Sequence, residues 1–305
     1  MLILGSSFRK ILLPLSFLYG VVTSIRNKAF DKGYLSSTSF DFPVIAVGNL
    51  SVGGTGKTPM IEWLVRQLSD SSKIAVLSRG YRRKTNGFRL VNPDNSAIDT
   101  GDEPLQIARK FPEITVAVDA NRVRGIVQLE KEIIPQLILL DDGFPHRKVT
   151  PQYSILLTTY GKLYANDWYL PTGNLRDNKN EASRADVIVV TKCPPDLEDA
   201  EKSLIIAQLK PRRGQMVLFA CLRYNPILYG ADQQMALSEL SSKPFTLVTG
   251  IADPRPLLDY LRELTEDFDH LAFPDHHNFT KEEIAKLNTC DLVVTTEKDY
   301  VRLKG

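Results

Sequence analysis

The sequence is poor in the residues that build disulfide and zinc frameworks. Its three cysteines, Cys193, Cys221 and Cys290, are odd in number and far apart, so their spacing fits neither a disulfide scaffold nor a zinc site. A reducing, cytosolic setting is expected, with the thiols buried as small hydrophobes. Four histidines in 305 residues leave little for a multi-histidine metal centre. Net charge is almost absent, formally +2, and no basic block is interleaved with aromatics, which argues against a nucleic-acid partner. No apolar run reaches the roughly 20 residues of a membrane-spanning helix. Internal repeats and low-complexity segments are lacking as well.

What remains is the composition of an α/β protein, 43% hydrophobic and 24% charged, long enough for one large or two medium domains. The stretch from Ile11 to Val22 is apolar, interrupted by Pro14, and flanked by Arg9, Lys10, Arg26 and Lys28. No small-x-small cleavage site follows it. Two readings fit: a helix lying on an anionic membrane surface with Phe17, Leu18 and Tyr19 inserted, or a hydrophobic helix packed on its own domain.

Downstream, short Ile/Val/Leu-rich runs alternate with helical patterns. FPVIAVGNL, KIAVLSRGY, EITVAVD, PQLILLDDG, YSILLTT and ADVIVVTK are expected strands; TPMIEWLVRQLSD and NRVRGIVQLEKE are expected helices. This alternation predicts a mostly parallel sheet covered on both faces, with ligands beyond the carboxyl ends of its strands. After residue 222 a linker and a short strand lead into PFTLVTGIADPRPLLDYLREL and DLVVTTEKD, expected to form strand, helix and a further strand of a smaller α/β unit.

The stretch GNLSVGGTGKT lies between an expected strand and an expected helix. Backbone N–H groups and a helix amino terminus in such a loop cradle phosphates, the lysine reaches the β- and γ-phosphates, and the following hydroxyl holds magnesium. Lys57 and Thr58 take these roles, and Pro59 sits where its missing N–H costs nothing. Ser51 stands where the common pattern has glycine. Val52 stands where membrane-associated partitioning ATPases carry a lysine that acts across a dimer, which counts against that class.

Asp141 and Asp142 close a strand, the place where phosphate-loop proteins hold magnesium or its waters; Asp-Asp-Gly is also good turn chemistry. Asp102 and Glu103 precede a helical pattern and fit an acidic helix start. Asp275, His276 and His277 stand together, and a loop histidine beside a carboxylate is a candidate proton acceptor. Thr280 with Glu283 marks a helix start just after them. Arg79, Arg82, Arg83, Arg122, Arg147 and Arg176 follow strands or occupy loops and are candidates to converge on an anionic acceptor.

Taken in order, VGNLSVGGTGKTP, SRGYRRK, TGDEP, LLDDGFPHR, PTGNLRD, RADVIVVTK, TGIADP, FPDHHNF and TTEKD resemble the tetraacyldisaccharide 4'-kinase family, the lipid A 4'-kinases of Gram-negative bacteria. The resemblance implies transfer of the γ-phosphate of ATP, with Mg²⁺, to the 4'-hydroxyl of a tetraacylated disaccharide 1-phosphate, forming lipid IVA. It implies a monotopic, monomeric enzyme on the cytoplasmic face of the inner membrane, anchored by its amino-terminal helix. The implied fold is a phosphate-loop core at 41–222, a smaller α/β domain at 223–305, and a membrane-associated segment at 1–40. Asp102 and His276 are implied as a catalytic dyad beside Lys57, with Asn49, Ser51, Val52, Gly53, Gly54, Thr55, Gly56, Lys57 and Thr58 around ATP. Thr58, Asp141 and Glu103 are the implied metal ligands. Arg79, Tyr81, Asn174, Arg122 and Arg176 are implied against the lipid, with Asp142, His146 and Asp275 in support. Two departures stand out: Pro145 replaces a family glutamine, and the family continues past TTEKDYVRL by a strand and a helix. The alternative is a membrane-associated phosphate-loop ATPase acting as a nucleotide switch.

Overall fold

The computed structural model describes residues 9–230 and 233–303. Its larger sheet is built from β1 (Val44–Asn49), β2 (Ile74–Ser78), β3 (Arg89–Leu90), β4 (Thr115–Val118), β5 (Leu137–Asp141), β6 (Tyr153–Thr159), β7 (Val187–Thr191) and β8 (Met216–Phe219). The strands lie in the order β3-β4-β2-β5-β1-β6-β7-β8, and only β3 runs antiparallel to its neighbour. Every residue of β2, β5 and β7 is buried, as expected of strands covered on both faces. The chain steps outward from β1, returns to β5, and then crosses β1 to reach β6. The carboxyl end of β1 therefore faces a topological switch point, where parallel sheets bind ligands.

Around this sheet lie α2 (Lys57–Leu68), α3 (Ala97–Thr100), α4 (Asp102–Lys110), α5 (Arg122–Glu132) and α6 (Asp199–Leu209). They follow α1 (Leu13–Asp31). A second parallel sheet, in the order β12-β11-β13, is formed by β11 (Phe245–Thr249), β12 (Phe268–Ala272) and β13 (Val293–Thr295), with α7 (Arg255–Leu264) and α8 (Lys281–Leu287). A hairpin of β9 (Ile227–Tyr229) and β10 (Gln234–Ala236) lies between the sheets in sequence.

TTEKD does not continue a strand. After Thr295 the chain turns into α9 (Glu297–Leu303), because Thr296 and Asp299 exchange hydrogen bonds (Thr296 Oγ1 to Asp299 Oδ2 2.7 Å; Asp299 N to Thr296 Oγ1 3.1 Å), a helix-starting pair. Val301 of α9 is buried in the same core as Leu105 and Ile107 of α4, so this helix bridges the two sheets. Of the cysteines, only Cys193 is buried; Cys221 is exposed and Cys290 is half-buried.

Helix α1 has an inverted pattern. Ser16, Gly20, Thr23 and Asn27 are buried, while Leu15, Phe17, Leu18, Val22 and Ile25 face outward. Small and polar side chains permit close docking on segment 169–178. Ser16 Oγ donates to Thr172 Oγ1 (2.8 Å), Asn27 Nδ2 to Asp177 Oδ1 (2.7 Å), and Tyr19 Oη to the Arg176 carbonyl (2.9 Å). Tyr19 was expected to face a membrane with Phe17 and Leu18; it turns inward instead, held by that bond. Among the described residues, no helix is long and apolar enough to cross a membrane.

Candidate active site

The loop after β1 turns at Gly53 (φ 117°) and Gly56 (φ 86°), conformations that a Cβ disfavours. Ser51 is not in that region. Instead it pairs with Leu175 in an antiparallel bridge, and the next residue, Val52, donates its N–H to the Asn174 carbonyl at 2.8 Å. The loop is braced from below: Asn49 Nδ2 donates to Thr55 Oγ1 (2.6 Å) and Thr191 Oγ1 to the Thr55 carbonyl (2.8 Å). Helix α2 then opens at Lys57, leaving its first N–H groups aimed at the concavity. Lys57 Nζ stands 3.8 Å from Asp142 Oδ1.

At the end of β5, Asp141 and its neighbour have opposite surroundings. Asp141 Oδ2 accepts from Ser78 Oγ (2.9 Å), but its Oδ1 is buried without a partner. Burial first, then the nearby carboxylates of Glu103 and Asp142, push its pKa above the ordinary carboxylate range. Asp142 adopts φ 52°, which turns its side chain onto the Arg176 guanidinium (Nη1 to Oδ2 2.9 Å, with Nη2 on Oδ1). Burial raises its pKa, but the Arg176 bonds and charge, followed by Lys57, outweigh burial and hold it well below the usual range.

Asp102 is the first residue of α4 and is 7% exposed. His276 Nδ1 lies 2.7 Å from its Oδ2. Burial alone would raise the Asp102 pKa; the His276 hydrogen bond and the charges of Lys298 and Arg302 bring it below its ordinary value, so it stays an ionised proton acceptor. His276 has φ 58° in a loop fastened by α9. Gly250 N donates to Asp299 Oδ2 (3.0 Å), Arg302 Nη2 to the Gly250 carbonyl (3.1 Å), and His276 N to that same carbonyl (3.1 Å). Lys298 Nζ lies 3.2 Å from Glu103 Oε1 and 3.3 Å from His276 Nε2. His277 is otherwise engaged, at 2.9 Å from Glu283 and stacked on Phe273.

One cleft is lined by Asn49, the loop from Ser51 to Thr58, Arg79, Tyr81, Glu103, Asp141, Asp142, Asn174, Arg176, Asp275 and His276. The Tyr81 ring lies 5.7 Å from that of His276. Asp275 Oδ2 is 3.8 Å from His276 Nε2. The six arginines do not all converge. Arg122 is buried, donating to the Asp119 and Asp141 carbonyls (2.6 and 3.1 Å), and burial lowers its pKa to about 10. Arg83 bonds the Gly87 carbonyl, Arg147 braces the end of α1 through the Asn27 carbonyl and Asp31, and Arg82 covers the Tyr81 ring. His146 is held neutral, its pKa lowered to about 4 by burial and then by Arg122. The turn carrying Pro145 closes through His146 N to the Gly143 carbonyl (3.0 Å), so the N–H missing at Pro145 is not required there. Sequence reasoning missed Lys298, Asp299 and Arg302; the Thr296–Asp299 capping pattern was the available signal.

Among the described residues, no group of three or more His, Cys, Asp or Glu is arranged to hold a metal ion. Magnesium is commonly held by one or two carboxylates together with phosphates and waters, and the unpartnered Asp141 Oδ1 beside two further carboxylates suits such a cation.

A model of the family described as tetraacyldisaccharide-1-P 4'-kinase (LpxK) matches residues 8–305. A Flavobacterium johnsoniae protein named tetraacyldisaccharide 4'-kinase is 51% identical across 97% of this chain and 88% of its own length. The Bacteroides thetaiotaomicron protein of the same name is 45% identical across 96% of this chain and 83% of its own. The crystal structure of "apo" form LpxK from Aquifex aeolicus in complex with ATP matches 98% of this chain and 91% of that one, at 31% identity and a TM-score of 0.79.

Proposed function

The chain belongs to the tetraacyldisaccharide-1-P 4'-kinase family, and from that premise we propose how its residues carry out the transfer. It is a lipid A 4'-kinase, moving the γ-phosphate of ATP to the 4'-hydroxyl of a tetraacylated disaccharide 1-phosphate to form lipid IVA. The observation that carries the catalytic reading is that His276, which lines the same cleft as the phosphate loop, lies 2.7 Å from the Asp102 carboxylate.

Asn49 and residues Ser51 to Thr58 wrap the phosphates, and Lys57 offsets the charge of the transferring phosphoryl group. Asp102 takes the proton of the sugar hydroxyl, a poor nucleophile at neutral pH, while His276 orients that carboxylate. Thr58, Asp141 and Glu103 would hold Mg²⁺, which when bound supplies positive charge at the β- and γ-phosphates. Arg79, Tyr81 and Asn174 face the acceptor; Arg176 and Asp142 fix each other beside it, and Arg122, His146 and Asp275 support these groups. The outward apolar face of α1 lies on the cytoplasmic face of the inner membrane, and the enzyme acts as a monomer. Residues 41–222 form the ATP-binding core and 223–305 the smaller domain.

The test is transfer of labelled phosphate from ATP to the purified disaccharide lipid in detergent. Lys57→Ala should abolish it, and Asp102→Ala should cut turnover by about 10²–10⁴-fold. Near-normal turnover in Asp102→Ala would overturn the base assignment. ATP hydrolysis without any labelled lipid would favour a nucleotide switch instead.

A further inference from the structure

Helix α9 carries an ammonium to which the mechanism above gives no part. Lys298 Nζ stands 3.3 Å from Nε2 of His276, while the opposite ring nitrogen, Nδ1, lies 2.7 Å from Oδ2 of Asp102. An ammonium has three donors and no acceptor. A ring nitrogen that bonds to it must therefore present its lone pair, which leaves the single proton of a neutral imidazole on Nδ1. There it points at the Asp102 carboxylate. The competing acceptor at Nε2 is Asp275, whose Oδ2 is 3.8 Å away, beyond hydrogen-bond reach. Lys298 is itself steadied by Glu103 Oε1 at 3.2 Å, and Glu103 neighbours Asp102 on α4. A closed ring of contacts thus runs Asp102, His276, Lys298, Glu103 and back along the helix.

We propose that Lys298 is a positioning residue for the phosphoryl transfer, acting by fixing the Nδ1–H tautomer and the orientation of His276. With that tautomer, Asp102 Oδ2 receives a donor and the carboxylate holds one rotamer toward the acceptor hydroxyl. With the other tautomer, the Nδ1 lone pair would face a carboxylate oxygen at 2.7 Å, and the two groups would be driven apart. A carboxylate displaced in this way no longer sits within the hydrogen-bond reach that general-base action requires. The proposal rests on the assignment of Asp102 as the base.

The experiment is ¹⁵N NMR of the full chain with labelled histidine, in mildly alkaline buffer, together with steady-state kinetics. With only four histidines in the chain, His276→Gln identifies the relevant signals. His276 should show a protonated Nδ1 and an unprotonated Nε2 in the unsubstituted protein. Lys298→Met should mix the tautomers and lower kcat by about 10- to 100-fold, with KM for ATP and lipid changed less than about twofold; Lys298→Arg, which keeps donors in place, should recover part of the loss. A proton on Nε2 in the unsubstituted protein overturns the proposal without any variant having to fold. So does normal kcat in Lys298→Met, or a lowered kcat with the tautomer unmoved. Asp102→Ala run alongside separates the two readings: normal turnover there removes the general base, whereas normal turnover in Lys298→Met alone removes only the positioning role.

Discussion

Ser51 illustrates how far a single residue can depart from a motif without harm. The common phosphate-loop pattern has glycine at this position, yet the left-handed turns fall at Gly53 and Gly56. Ser51 instead bridges to Leu175, and its hydroxyl lies 3.3 Å from Asp167 Oδ2, so a side chain here is used. Ser51→Gly should therefore leave ATP affinity within about twofold, since no left-handed φ is being relieved. Gly53→Ala is the contrasting case. A Cβ at Gly53 would meet nothing within 4 Å, so any loss comes from backbone strain alone, about 1 kcal/mol or roughly fivefold in affinity. Calorimetric titration with ATP checks both, and equal effects of the two changes would refute this account of the loop. Motif chemistry at this scale was legible: the loop, the strand-ending aspartates and the histidine beside Asp275 are each written within a dozen residues. The Lys298 contacts were not, because the one to Glu103 joins positions 195 apart in the chain and both depend on where α9 docks.

Helix α1 shows why the sequence left two readings open. Periodicity reports that a helix has an apolar face; it does not report which way that face points. Here the buried stripe is Ser16, Gly20, Thr23 and Asn27, and the exposed one includes Phe17 at 75% and Ile25 at 63% exposure. The small stripe allows contact so close that a Cβ on Gly20 would come within 2.8 Å of the Tyr169 ring. The segment that α1 grips, residues 169–178, also supplies the Leu175 bridge to the phosphate loop and Arg176 to Asp142. A surface helix is thereby tied directly to the catalytic cleft. Replacing Phe17, Leu18 and Val22 together by Ser should release the protein from anionic vesicles, since each removes about 1.5–3 kcal/mol of insertable surface, while turnover in detergent stays within about twofold. Gly20→Val should do the reverse, lowering turnover through the strained Tyr169 contact. Vesicle sedimentation paired with the detergent assay separates them; unchanged vesicle binding in the triple variant would sink the membrane role of this face.

At the scale of the whole molecule, the reacting groups come from both sheets and meet beside the junction where α9 docks on α4. That junction has an apolar centre, Val301 beside Leu105 and Ile107, and a charged rim. Lys110 Nζ lies 2.5 Å from Glu297 Oε2 and 2.8 Å from Glu62 Oε2, and Gln106 Nε2 reaches Glu297 Oε2 at 3.3 Å. Glu297 is more than half exposed at its side chain, 56%, so its pairing contributes on the order of 1 kcal/mol or less and is screened by salt. The rim is the lightly held part of this junction, and a nucleotide-linked closure would bring His276 to Asp102 here, since interfaces of mixed polarity between domains favour relative motion. Glu297→Lys places like charges at the rim without touching the dyad or the loop. It should weaken docking, lower kcat by about three- to tenfold at low ionic strength, and shift the thermal unfolding midpoint by less than about 2 °C, because the buried core of the eight-stranded sheet is unaltered. Raising the salt should narrow the gap between variant and parent, since the repulsion it relieves exists only in the variant, while slowing the parent by loosening its own Lys110–Glu297 pair. A kcat ratio that stays constant from low salt to about 1 M, where the screening length falls to about 3 Å, would show that the rim charges do not govern closure.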